Sequence, residues 1–145
     1  LTVRTQVLAQ ELRAPTAHEA HALELKDGDN VVALRRLRSV DNELRLLVET
    51  AVPADLAPGL HRARLENRSL YDFLKRQYGL RVVRAERWID AVIPDADTQA
   101  LLGITAQEPL LRIESIAYGA NGRPVEHYRA LHRCQSSRLH VKTTT

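Results

Sequence analysis

A chain of 145 residues is the size of one domain and buries roughly 68–70% of its unfolded-chain surface on folding, enough for one compact core. Its 44% hydrophobic and 27% charged residues are ordinary globular values, which excludes disordered, collagen-like and disulfide-scaffold classes; no apolar run is long enough to span a bilayer. The net charge of +3 arises from 21 basic and 18 acidic residues interleaved along the chain, a weak basis for direct nucleic-acid binding. The single Cys134 cannot form an internal disulfide and suits a reducing, cytoplasmic setting. No secretory signal is visible, and a chain that starts at Leu1 and lacks Met reads as a piece of a longer product.

Residues 2–12 read as a strand ended by Pro15. Thr16 and Glu19 then have capping-box spacing and open a short helix through Leu23 and Leu25 that stops near Gly28. Residues 31–40 and 44–53 alternate as two strands about an Asp41-Asn42 turn, a hairpin signal. Residues 53–67, with Pro58 and Gly59, read as a loop holding a helical turn. Ser69 caps a helix over residues 70–77 that Gly79 ends. A strand containing Trp88 follows over 80–93, then Asp95 or Asp97 caps a helix running through Leu101 and Leu102 to Gly103. Residues 110–118 and 124–132 form a second hairpin about Asn121-Gly122, and residues 143–145 are expected to fray.

The order helix, hairpin, Val-Glu occurs twice, with Val48-Glu49 in the first half and Val125-Glu126 in the second, as an ancient duplication would leave it. Two such units sharing a mostly antiparallel sheet, with helices over one face, make an α+β domain.

Candidate site residues follow from strand parity. A two-residue loop at Asp41-Asn42 pairs Arg36 with Leu47 and Leu34 with Glu49, which sends Arg36, Arg38 and Glu49 to one face and Arg35 and Leu37 to the other. Two arginines spaced by two on a strand can clamp a phosphate or carboxylate through charge-assisted bonds; the alternative is a solvated face with an ordinary cross-strand ion pair. Ser69 brings a hydroxyl and free N–H groups to a helix N-terminus, an anion-favouring position, although most such serines only cap. Alternation places Glu126, Tyr128, Ala130 and His132 on one face of the last strand. His127, His132 and Cys134 lack zinc-site spacing, and His127 and His132 fall on opposite faces, so no metal site is expected. Phosphate-loop, dinucleotide and nucleophile-elbow motifs are absent, and no cofactor is expected.

The succession Leu34-Arg-Arg-Leu-Arg38, Glu49 shortly before Pro53, Ser69-Leu-Tyr71, Leu101-Leu-Gly103, Pro109-Leu-Leu111 and Gly122-Arg-Pro-Val-Glu126 resembles the UTRA domain, the effector-binding domain of GntR-type transcription regulators of the HutC subfamily. The resemblance runs from about Val7 to Val141. It implies a chorismate-lyase-like fold, a six-stranded antiparallel sheet with helices packed on it, and one effector domain over residues 1–145. It also implies a homodimer that meets operator DNA only through a winged helix-turn-helix absent from this chain. The effector-binding residues it implies are Arg36, Arg38, Glu49, Ser69, Tyr71, Glu126 and His132. The ligand would be a small anionic metabolite such as a sugar phosphate, urocanate, or another carboxylate or phosphonate. Departures at Asn42-Glu-Leu44 and at His132 leave the identity of that metabolite open. A lyase acting on a small carboxylate is the alternative the same fold would allow.

Overall fold

A computed structural model describes residues 1–135 and 138–144. Six strands, β1 (Val3–Arg13), β2 (Val31–Val40), β3 (Glu43–Pro53), β4 (Arg84–Val92), β5 (Leu110–Tyr118) and β6 (Pro124–Arg133), form one antiparallel sheet in the order β1-β2-β3-β6-β5-β4. Three helices, α1 (Ala17–Ala22), α2 (Leu70–Tyr78) and α3 (Ala96–Leu102), complete the fold. The repeated order is realised as two strand-helix-hairpin units, β1-α1-β2-β3 and β4-α3-β5-β6, whose last strands β3 and β6 pair at the centre. The Val-Glu pairs are not equivalent within it, because Glu49 and Glu126 project from opposite faces.

Local chemistry sets the ends of the elements. Thr16 and Glu19 complete the capping box of α1, but the helix ends at Ala22, well before Gly28. Ser69 Oγ accepts from the Asp72 N–H at 3.3 Å, and Gly79 closes α2 at φ 67°. Asp95 caps α3. The region after β3 contains two short 3-10 turns, Ala54–Leu56 and Leu60–Arg62, as its irregular sequence suggests. β4 is shorter than its alternation implies, starting at Arg84 rather than near Leu80.

Helices cover both faces, contrary to the expectation of one. Leu23 packs on Val31 and Ala51, and Leu102 packs on Leu37, Leu47 and Leu110, so α1 and α3 share a face. Leu70 and Leu74 of α2 pack with Val32, Leu34 and Val52 on the other face. Because adjacent strand residues point oppositely, Val31 and Val32 serve different cores. α2 covers only the Val32–Leu34 end of its face, and the uncovered remainder is the site described next. Among the described residues no helix is long and apolar enough to cross a membrane.

Candidate functional site

The uncovered part of the α2 face is a cleft of about 900 Å³. Its sheet side carries Arg36 and Arg38 from β2, Leu46 from β3, Arg87 and Ile89 from β4, Ile113 and Ser115 from β5, and Glu126, Tyr128 and His132 from β6. Ser69, Leu70 and Tyr71, at the start of α2, line it from above the sheet, and residues 139–142 also border it.

The electrostatics of this cleft are unusual for a monomeric surface. Arg36 is only 5% exposed, yet the hydrogen bond it makes among the described residues is a long 3.4 Å contact from Nη1 to the Arg68 carbonyl. Its Nε is buried without a partner, as is Nε of Arg38, and among the described residues neither guanidinium reaches a carboxylate at ion-pair distance. Burial, and then the like charge of Arg38, push the Arg36 pKa below its ordinary value. Ser115 Oγ is also buried and unpartnered. Buried donors without acceptors cost stability, and a ligand that supplies acceptors recovers it.

Glu126 is the complementary group. Only 2% exposed, its Oε1 accepts from the Tyr71 hydroxyl at 2.6 Å. Burial pushes its carboxyl up to about 7, against the opposing effects of the Tyr71 hydrogen bond and the charges of Arg36 and Arg87. The Tyr71 phenol is in turn raised far above its usual value by burial and by Glu126. The cleft thus presents unsatisfied cationic donors at one position and a carboxyl near its titration point at another. That combination can hold an anionic group and read a hydroxyl or amine on the same small molecule.

Six of the seven residues marked in the sequence, Arg36, Arg38, Ser69, Tyr71, Glu126 and His132, line this one cleft. Glu49 does not. The two-residue turn forms as expected, with Asp41 and Asn42 at φ 51° and 66° and Val40 opposite Glu43. A register shift between Arg38 and Ser39 then leaves Arg45 as the extra residue, and Arg38 faces Leu46, Arg36 faces Val48 and Arg35 faces Glu49. One slipped residue turns every later side chain over, so Glu49 projects from the α1/α3 face with Arg35. It borders a separate cavity of about 230 Å³ there, with Arg13, Glu19, Arg129, His18 and His127.

Sequence reasoning missed Arg87, Ser115 and the 139–142 segment as cleft residues, and noted Tyr128 only for its face. Arg87 pairs with Ser115, and Ser115 with Tyr128, so all three share the Glu126 face by register. Parity alone would have found them once β4-β5-β6 were known to be neighbours.

Comparison with known proteins places these features in a family. The sequence matches the UTRA domain family across residues 1–137. It is 28% identical over 131 residues to the HTH-type transcriptional regulator GmuR of Bacillus subtilis (strain 168), covering 90% of this chain and 55% of that protein. To the HTH-type transcriptional regulator GgaR of Escherichia coli (strain K12) it is 31% identical over 117 residues, covering 81% of this chain and 45% of that one. The chain therefore spans about half the length of these relatives. The crystal structure of the effector domain of PhnF from Mycobacterium smegmatis superposes with a TM-score of 0.91 at 26% identity, covering 99% of this chain and 88% of that one. These relatives are regulators, which leaves the lyase alternative without support. The six-stranded, chorismate-lyase-like architecture, its polar cleft and these matches agree: the chain belongs to the UTRA family, the effector domains of GntR-type transcription regulators.

Proposed function

We propose that the cleft binds a small anionic metabolite, a sugar phosphate, phosphonate or carboxylate such as urocanate, and that its occupancy controls DNA binding by a winged helix-turn-helix elsewhere in the full protein. The observation that carries this reading is the pair on the cleft floor, buried Arg36 and half-buried Arg38, whose Nε atoms are buried and which have no carboxylate partner among the described residues. A phosphate or carboxylate there receives charge-assisted, bidentate hydrogen bonds. Ser69, at the positive end of α2, adds a hydroxyl, while Glu126, Tyr71 and His132 read the remainder of the ligand. Glu49, on the other face, is not part of the proposed contact set.

In the proposed regulator two copies form a homodimer, the protein is cytoplasmic, and it acts as a repressor of the HutC subfamily. The outer strand β4 supports the dimer: among the described residues one of its edges is unpaired, and Trp88, on the face away from the cleft, is 47% exposed. Ligand would bind one arrangement of the dimer better than the other, by about 1–3 kcal/mol as in other allosteric couplings.

Thermal-shift measurements against sugar phosphates, phosphonates, urocanate and small carboxylates test the reading. A ligand at 100 times its dissociation constant adds about 2.7 kcal/mol, a shift of several degrees. The expected hit carries an anionic group, and Arg36→Ala abolishes it without unfolding the domain. Retained affinity in Arg36→Ala would show the site to be misplaced.

A further inference from the structure

On the face opposite the cleft, three side chains from three separate elements meet at one point. His18 projects from α1, Glu114 from β5 and His127 from β6. Glu114 Oε2 accepts a hydrogen bond from His127 Nε2 at 2.7 Å and is also the partner of His18 Nε2. The two imidazole rings meet edge to face with centroids 5.2 Å apart. All three potential ligand atoms lie within 4.8 Å of one another.

We propose that His18, Glu114 and His127 bind a divalent first-row transition-metal ion, zinc(II) foremost. Two imidazole nitrogens directed at the same carboxylate oxygen place three lone-pair donors around one position once the ring protons leave. Tetrahedral Zn–N and Zn–O bonds of about 2.0–2.2 Å hold ligand atoms roughly 3.4 Å apart, so the trio reaches that geometry with movements of about 1 Å. His18 supplies the movement: its side chain is 56% exposed, whereas His127, at 7%, is fixed in the sheet. An imidazole-carboxylate donor set favours zinc, copper or nickel over calcium and magnesium, which take oxygen ligands.

His18 and His127 also border the 230 Å³ polar cavity that holds Arg13, Arg35 and Glu49, so water completing the coordination has space beside them. Glu19 stays out of the ligand set because Arg13 holds both of its oxygens, at 2.7 and 3.0 Å. The bound ion would pin α1, a helix of six residues, to the β5-β6 hairpin. This site is independent of the effector cleft, and either can fail without the other.

The test uses this chain, stripped with chelator and titrated with Zn²⁺ by calorimetry and with Co²⁺ as a visible-absorption probe. One equivalent binds, Co²⁺ develops the d–d bands of a low-coordinate nitrogen-oxygen site, and Zn²⁺ displaces it. His18→Ala, at an exposed position that leaves the fold intact, weakens Zn²⁺ binding at least about tenfold, as does Glu114→Gln. His21→Ala, on the same helix, changes nothing. No saturable binding below millimolar Zn²⁺, or binding that survives His18→Ala but is lost in His132→Ala, would overturn the assignment.

Discussion

The two faces of the sheet treat their charges in opposite ways. On the α1/α3 face three arginines are answered by acids: Arg13 by Glu19, Arg35 by Asp97 at 2.8 Å, and Arg112 by Asp90 at 3.0 Å. On the cleft face Arg36 and Arg38 lie side by side without an acid at ion-pair distance among the described residues, and Glu126 is sealed beneath Tyr71, whose phenol hydrogen-bonds to it. A paired arginine is complete in itself, so its charge contributes modestly to stability and needs no ligand. An unpaired, largely desolvated set is a standing cost that the proposed ligand would relieve, the stability-for-function exchange seen at binding sites.

The largest way to break this contrast is to remove the uncompensated charge. Arg36→Met keeps much of the side-chain volume and discards the guanidinium. Effector affinity should fall by about 2–5 kcal/mol, from roughly thirty-fold to several thousand-fold, by calorimetry. At pH 5.5, where Glu126 is protonated in the folded state, the same variant should be as stable as the parent or more so, because a buried unpaired cation has gone. A melting temperature that falls by several degrees would mean that Arg36 is paired in solution and that the two faces do not differ as described.

Glu126 comes next. Its carboxyl titrates near 7 in the folded chain against 4.5 as an ordinary glutamate, so the folded state binds its proton more tightly than the unfolded state does. The stability this contributes is complete below about pH 4.5 and is lost as pH rises through about 7, to a total of about 3 kcal/mol. Glu126→Gln holds a neutral group of the same shape under Tyr71 and should flatten that part of the pH-stability curve, measured by urea unfolding between pH 4 and 8. A variant whose pH slope equals the parent's would show that Glu126 is solvated.

How much of this was legible in the sequence depended on whether the information was local. Caps were legible because they are written in residues three or four apart: Thr16 with Glu19, Ser69 with Asp72, Asp95 with Thr98. The facing of Arg36 with Arg38, and of Glu126 with Tyr128 and His132, was legible because parity within a strand needs no knowledge of neighbours. The face of Glu49 was not, because it depends on one extra residue at a bulge that the Leu-rich stretch Leu44-Arg-Leu-Leu47 does not announce. The side of the sheet that each helix covers was equally hidden: Val31 and Val32, or Leu34 and Leu37, are apolar on both faces and give no preference. The His18, Glu114 and His127 cluster joins residues 96 and 13 positions apart, and no spacing rule reaches that far.

The smallest expected effect is the sharpest test of the boundary between the faces. Glu49 is exposed on the paired side, where Arg13 and Arg35 sense its charge while bonding to Glu19 and Asp97 instead. Glu49→Gln should therefore change stability by less than about 1 kcal/mol, the usual value of an exposed ion interaction, and part of even that should vanish in high salt. Its effect on effector affinity should be smaller still, within about twofold, because the sheet separates it from Arg36 and Arg38 and surface charges beyond a Debye length of about 8 Å are largely screened. A tenfold loss of affinity in Glu49→Gln would place its carboxylate in the cleft, and the β2-β3 register would then have to run without the bulge at Arg38.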